Sequence, residues 1–297
     1  MHPDWIALDW GTSNVRAWAM DRAGGVLAEA SSPRGMATLS PAEFEPAFLD
    51  LVSDWTLPDA CPVFACGMVG ARQGWAEAGY QAVPCAPLSG TPTRVETLSD
   101  QLVVRIVPGL SQTRPPDVMR GEETQIAGFL SPNPKFDGTL ILPGTHTKWV
   151  QISAGEVVSF QTAMTGEIYA ALAHHTVLRH SITDGWDDAA FLDAISDGLS
   201  RPEALATRAF QIRADNLLNG LDSSTAAARL SGLLVGAELA NARPYWLGLP
   251  TAIVGAPKLV SHYAAALKAQ GVAPLIARGD ACTLAGLKAA RALWKET

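Results

Sequence analysis

Residues 142–150 read LPGTHTKWV. A Pro-Gly turn, two threonines, a histidine and a lysine sit between the apolar runs TLIL and WVQI, so the order is strand, tight polar turn, strand. Such a turn gathers backbone N–H groups and hydroxyls, which can hold a small anion or merely close a hairpin. A second copy of the pattern bears on the choice. Near the start the chain reads WIALDWGTSNVRAWAM, and Gly11-Thr12 occupies the place of Gly144-Thr145. A third short strand follows each pair, VLAEA after DRAGG and VVSFQTA after SAGE. An internal repeat constrains architecture more firmly than local propensity, and two copies predict two similar domains facing each other.

The segments after each meander fit a layered α/β arrangement. In SPAEFEPAFLDLVSDW, Ser40 is the expected N-cap, Pro41 the first helical residue and Glu43 the capping-box partner. PVFACGMVG reads as a buried strand leaving through a glycine turn, and GEETQIAGFL as a helix. In the second half a mostly helical stretch from about 167 to 240 precedes the strand TAIVGAP, the helix LVSHYAAALKA, the strand APLIA and the helix DACTLAGLKAARALW. The helices near 167 to 230 have no counterpart in the first half. They read either as an insertion covering a cleft or as the surface of a homodimer.

Composition narrows the function classes. The 297 residues are 48% hydrophobic, enough chain for two domains. Lys and Arg total 22 against 29 Asp and Glu, for a net charge of −7, and no basic run forms a footprint for nucleic acid or an anionic membrane. The beginning, MHPDWIALDWG, lacks a basic stretch leading into a long apolar one, and no apolar run reaches the ~18 residues of a membrane span, so a cytoplasmic protein is expected. Cys61, Cys66, Cys85 and Cys282 show no CxxC pair and no zinc spacing, and read as reduced, buried thiols.

Asp9 ends an apolar strand just before Gly11, Thr12 and Ser13. A carboxylate there can hold hydrated Mg²⁺, while glycine and hydroxyls let the backbone approach phosphate oxygens. Two such turns would clamp a polyphosphate from two sides. DWGTSNVRAW, PGTHTKWV and IVGAPKLVSHYAAAL resemble the first phosphate loop, second phosphate loop and adenosine segment of the actin, Hsp70 and sugar kinase superfamily. Within it, ACGMVGARQGW, PDVMRGEETQIAG, LPGTHTKWV and MTGEIYA resemble the 2-dehydro-3-deoxygalactonokinase family. The resemblance implies an α/β fold of two duplicated ribonuclease H-like (actin-like ATPase) domains around a nucleotide cleft. Residues 1–132 would carry the first phosphate loop and most of the sugar-acid site; 133–297 would carry the second loop, the helical insertion and the adenosine segment. It also implies the reaction: transfer of the ATP γ-phosphoryl group, with Mg²⁺, to the 6-hydroxyl of 2-dehydro-3-deoxy-D-galactonate. The alternatives are a phosphoanhydride hydrolase of the same superfamily and a kinase for another keto-deoxy sugar acid.

Phosphoryl transfer needs positioning, charge neutralisation and a base for the hydroxyl proton. PPDVMRGEETQIAG supplies Asp117, Glu122 and Glu123. Glu122, just after Gly121 near a helix start, is the favoured base because the helix dipole would keep it ionised, and Asp117 is the alternative. For the substrate's carboxylate and hydroxyls the candidates are Arg72, Gln73 and Arg120, with Trp75 against the carbon skeleton and Glu167 near a hydroxyl. In the second loop, strand alternation sets Thr145 and Thr147 on one side and His146 and Lys148 on the other, and either set could meet the phosphates. Gly255, Ala256 and Ser261 are expected to border the adenosine. Gly286, amid small residues in the last helix, is expected to permit close helix packing.

Overall fold

The computed structural model describes residues 1–294. The first repeat forms the meander that its alternation predicts: β1 (Trp5–Trp10), β2 (Val15–Met20) and β3 (Val26–Ser32) pair antiparallel in sequence, with Asp9 opposite Arg16. Ser40 and Glu43 make the expected capping box, Glu43 Oε2 accepting from the Ser40 N–H and hydroxyl at 2.7 Å. It caps a 3-10 turn at Pro41–Glu43, which leads into α1 (Phe44–Leu51). After α1 come β4 (Cys61–Gly67), β5 (Tyr80–Ala82), β6 (Thr93–Arg94), β7 (Leu102–Ile106), β8 (Gly109–Thr113), β9 (Pro116–Met119) and α2 (Glu122–Leu130). β4 is parallel to β1, and β7 is parallel to β4. The strands run β3-β2-β1-β4-β7-β6, and β5-β8-β9 form a separate three-stranded sheet. That small sheet has no counterpart in the sequence reading, because its strands are short and broken by prolines and glycines rather than by a clear alternation.

The second repeat gives β10 (Gly138–Leu142), β11 (Thr147–Ser153) and β12 (Glu156–Ala163). Helices α3 (Thr165–His175), α4 (Asp188–Ser200), α5 (Leu205–Asn219), α6 (Ser223–Asn241) and α7 (Arg243–Trp246) follow. The chain then returns through β13 (Thr251–Gly255), α8 (Pro257–Ala269), β14 (Leu275–Arg278) and α9 (Gly279–Trp294). The second sheet runs β12-β11-β10-β13-β14, with β10, β13 and β14 parallel in turn. Its order matches that of the first five strands of the other large sheet: third, second and first strands of the meander, then two later parallel strands. The architecture is mixed α/β.

Contacts divide the chain into two compact units, one of residues 1–136, 152–159 and 279–297, the other of 137–151 and 160–278. In the first, Trp5, Trp18, Met20 and Phe64 form a cluster with Leu287, Ala290 and Trp294 of α9. In the second, Ile141, Trp149 and Ile253 of the sheet pack with Phe191, Val235, Leu239 and Tyr263. The four cysteines are free and buried, as expected, and burial pushes the Cys61 thiol up to about 12. Among the described residues no helix is long and apolar enough to cross a membrane.

Close packing of α2 on α9 depends on two glycines. A Cβ at Gly128 would overlap the Cys282 carbonyl, and one at Gly286 would overlap that of Thr124. Both obstacles are helix backbone, which cannot swing aside. Gly286→Ala should therefore lower stability by about 1–3 kcal/mol, measured by urea unfolding, as overpacking does where neighbours cannot relax.

Candidate active site

The first turn is held by its own backbone. Gly11 N–H donates to the Asn14 carbonyl at 2.9 Å, while Met36 and Ala37 donate to the carbonyls of Gly11 and Thr12 at 3.0 Å. Thr12 and Ser13 remain exposed. At the end of β1, Asp9 is 20% exposed and its Oδ2 accepts from Arg16 Nη2 at 2.7 Å. Oδ1 has the Cys66 thiol at 4.0 Å. Burial pushes the Asp9 carboxyl up, and the Arg16 hydrogen bond and charge pull it down.

Helix α2 starts close by because glycine stands at each approach. Gly67 has φ +92° and a Cβ there would lie 2.8 Å from the Trp10 carbonyl oxygen; Gly121 has φ +103° and its Cβ would lie 3.2 Å from Gly67 Cα. The first helical residue, Glu122, is half-buried, and its Oε2 accepts from the Arg120 N–H at 3.1 Å. Glu123 is fully buried. Its Oε2 accepts from Gly121 N–H at 2.6 Å and its Oε1 from the Thr124 hydroxyl at 2.9 Å. Asp117 stands apart from this helix start, on β9 opposite Gln112, where its Oδ1 accepts from the Val118 N–H at 2.8 Å.

Arg120 is 9% exposed. Its Nη2 donates to the Ala78 carbonyl at 2.7 Å and its guanidinium carbon lies 4.3 Å from the Tyr80 ring centroid. Nε and Nη1 are buried without a hydrogen-bond partner. Gly70 lies directly over this group, since a Cβ there would stand 2.9 Å from Nη1. Arg72, by contrast, is solvated, with only Glu77 Oε1 at 3.5 Å, and Gln73 is exposed. Trp75 packs into the core with ring centroids 6.2 Å from Trp10 and 6.0 Å from Phe48.

The second turn corrects the two-set reading. β11 begins at Thr147, so alternation starts there and not at Thr145. Thr145 and His146 are exposed in the turn, while Thr147 and Lys148 are both buried. Thr147 Oγ1 is 2.8 Å from the Tyr263 hydroxyl. Lys148 is 5% exposed and has no ion-pair partner among the described residues. The start of α3 is pressed onto the turn: Glu167 N–H donates to the Thr145 carbonyl at 3.0 Å, and Gly166 leaves no room for a Cβ, which would lie 2.6 Å from the Gly144 oxygen. Glu167 Oε2 also meets His146 Nε2 at 2.6 Å.

Beside this turn the second unit holds a cavity of about 330 Å³ lined by Gly144, Gly166, Trp186, Lys258, His262 and Tyr263 among others. Trp186 and His262 stack with centroids 4.1 Å apart and planes at 7°. Burial and then the Lys258 charge hold the His262 imidazole below its ordinary value. Gly255 ends β13 with Ala256 as the N-cap of α8, and a Cβ on Gly255 would lie 3.4 Å from the Pro143 oxygen. Ser261 is exposed and donates to the Lys258 carbonyl at 2.7 Å, away from the cavity lining. The helix face that lines the cavity is Lys258, Leu259, His262 and Tyr263, a four-residue spacing that α-helical periodicity would have identified. Trp186 lies in an irregular segment between helices, and no local pattern pointed to it.

The 2-keto-3-deoxy-galactonokinase family model matches residues 9–290. The chain is 38% identical over 300 residues to the Rhizobium meliloti (strain 1021) protein named "Probable 2-dehydro-3-deoxygalactonokinase DgoK1", covering 98% of this chain and 97% of that one. It is 33% identical over 290 residues to the 2-dehydro-3-deoxygalactonokinase of Escherichia coli (strain K12), covering 96% of each. A crystal structure of a Sinorhizobium meliloti protein provisionally described as that kinase superposes with a TM-score of 0.89 at 39% identity, covering 98% of this chain and 99% of that one.

Glu123 gives the first unit a measurable signature. Burial first, and the Glu122 charge second, push its carboxyl up to about 7, against the pull of its hydrogen bonds. With the folded-state value above the unfolded one, the unfolded chain loses this proton first as pH rises. Stability therefore falls between about pH 4.5 and 7 and is level beyond that. Glu123→Gln should remove this slope, measured by urea unfolding: it gains on the order of 3 kcal/mol relative to wild type at pH 8, and the gain vanishes near pH 4.

Proposed function

The chain belongs to the 2-keto-3-deoxy-galactonokinase family, and we propose that it transfers the ATP γ-phosphoryl group to the 6-hydroxyl of 2-dehydro-3-deoxy-D-galactonate, in galactonate catabolism. The observation that carries the nucleotide half of this reading is the cavity beside the 144–147 turn. A glycine-threonine turn with exposed backbone suits phosphates, and the stacked Trp186–His262 pair gives a planar base an apolar face next to it. Gly144, Thr145 and His146 then contact phosphate oxygens; Lys148 supplies positive charge from the strand, and Thr147 serves from within. Gly255 and Ala256 let the ribose approach backbone, while the purine edge meets Lys258 in place of Ser261.

In the first unit, Gly11, Thr12 and Ser13 offer a second set of donors. Asp9 fits a hydrated Mg²⁺, since its Oδ1 has no nearer partner than a thiol and such an ion takes most of its ligands from water and phosphate. The ion, when bound, neutralises charge on the phosphates. Arg120 carries a buried positive charge with two unpaired donors at the turn that also bears Arg72 and Gln73, and this suits the substrate carboxylate. Trp75 shapes the turn through the core, and Glu167 acts by holding His146.

Glu122 is the base. As the bond from O6 to the γ-phosphorus forms and the bridge to the β-phosphate breaks, the carboxylate takes the hydroxyl proton and ADP leaves. Its partial exposure allows contact with substrate, which Glu123 lacks. The matching strand orders support descent of both halves, 1–132 and 133–297, from one ribonuclease H-like unit of the actin-like ATPase kind, with α4 and α5 as helices added in the second. A cytoplasmic location fits this reaction.

A coupled assay of ADP release tests the reading. Turnover is expected with 2-dehydro-3-deoxygalactonate and ATP, compared with its gluconate epimer as alternative acceptor; ATP hydrolysis equally fast without any acceptor would identify a hydrolase instead. Glu122→Gln should reduce kcat about 10²–10⁴-fold with ATP binding retained, and full activity in that variant alongside an inactive Asp117→Asn would move the base to Asp117. Trp186→Ala should raise KM for ATP about tenfold and leave KM for the keto acid unchanged, as loss of a stacked base does.

A further inference from the structure

Helix α6 is buried along most of its length by alanine, leucine, glycine and valine, yet Glu238 in that stretch is 5% exposed. Its carboxylate is fully engaged. Oε1 accepts from Trp149 Nε1 at 2.7 Å, while Oε2 accepts from the Tyr263 hydroxyl at 2.7 Å and from the Thr165 hydroxyl. Tyr263 has a single hydroxyl proton, and it goes to Glu238. The 2.8 Å contact between Tyr263 and Thr147 must then be a hydrogen bond donated by Thr147. A directed chain, Thr147 to Tyr263 to Glu238, runs from the end of the 144–147 turn into the middle of α6.

A buried carboxylate is costly even when satisfied, and a well-packed apolar residue at the same place would stabilise the helix bundle at least as well. What distinguishes this one is where its partners lie. Thr165 and Tyr263 line the cavity beside the turn, Thr165 starts α3 just ahead of the Gly166 and Glu167 contacts that brace Thr145, and Thr147 is where the turn becomes β11. One acidic group therefore fixes both flanks of an otherwise exposed turn.

We infer that Glu238 is a positioning residue, which through Tyr263, Thr147 and Thr165 holds the 144–147 turn in the shape that receives the nucleotide's phosphates. The inference rests on reading that turn as a phosphate site, and it assigns Glu238 no contact with the nucleotide. With both of its oxygens accepting, Glu238 sets the direction of the hydrogen bonds, so even a shape-preserving amide, which places donors where only acceptors stood, disturbs the turn.

Calorimetric titration with ADP and with adenosine separates the possibilities without any keto acid. Wild type is compared with Glu238→Gln, Tyr263→Phe and Thr147→Val, with thermal melts of each. The expected result is a loss of ADP affinity of roughly three- to tenfold per variant, adenosine affinity within twofold of wild type, and a Glu238→Gln/Tyr263→Phe double variant no weaker than the poorer single one, as members of one network behave. Variants that melt lower but bind ADP as wild type does would reduce Glu238 to a packing role and overturn the inference. Equal losses of ADP and adenosine would overturn it too, by placing the effect on the cavity wall. Should Glu238→Gln not fold, Tyr263→Phe and Thr147→Val, which each remove one hydroxyl, decide the matter. Wild type that binds neither ligand would remove the nucleotide reading and this inference with it.

Discussion

The gathering of polar groups in the first unit depends on backbone passing over backbone at two glycines. Gly67 and Gly121 both adopt positive φ, and each stands where a side chain would strike main chain of the other or of Trp10. Because neither has a Cβ, three segments distant in sequence converge: the end of β1 with Asp9, the turn after β4 with its arginine, and the first turn of α2 with its two glutamates. Polar side chains gather here, but their spacing is set by what is absent at these two positions. The same economy recurs in the second unit, where Gly166 brings the start of α3 onto the Gly144 carbonyl.

Much of the architecture was legible in the sequence for one reason, the repeat. Strand, glycine-threonine turn, strand and third strand occur twice, and the order of the five shared strands follows in both sheets. A long periodic segment such as α8 was equally readable, because its apolar face repeats over several turns. The sheet β5-β8-β9 was not. Its strands number three to five residues, β5 meets β8 only across a long intervening segment, and β9 begins at Pro116, so no clear alternation marks them.

The placement of the candidate residues was less legible in the sequence than the fold, and the reason is physical. Glu122 and Glu123 are adjacent and chemically alike; only tertiary packing makes one half-buried and the other fully so. Thr147 and Lys148 point to opposite faces of β11 and are both buried because that end of the strand is covered on both sides, which alternation in the sequence does not reveal. Arg72 and Arg120 look equivalent as cations in the sequence, yet one is solvated beside Glu77 and the other is enclosed over Tyr80. The contacts of Glu238 and Trp186 could not be found from local pattern at all, since their partners are far off along the chain.

The last helix has a bearing on how the chain is made. Leu287, Ala290 and Trp294 of α9 cover Trp5 and Phe64, so the apolar face of β1 and β4 meets this covering only once α9 has been synthesised. The second unit, whose residues end at Arg278, has all of its own segments before that point. During synthesis β1 and β4 therefore wait, partly bare, until α9 has been made, and their apolar surface stays open to a nascent-chain factor while the second unit already has all of its segments.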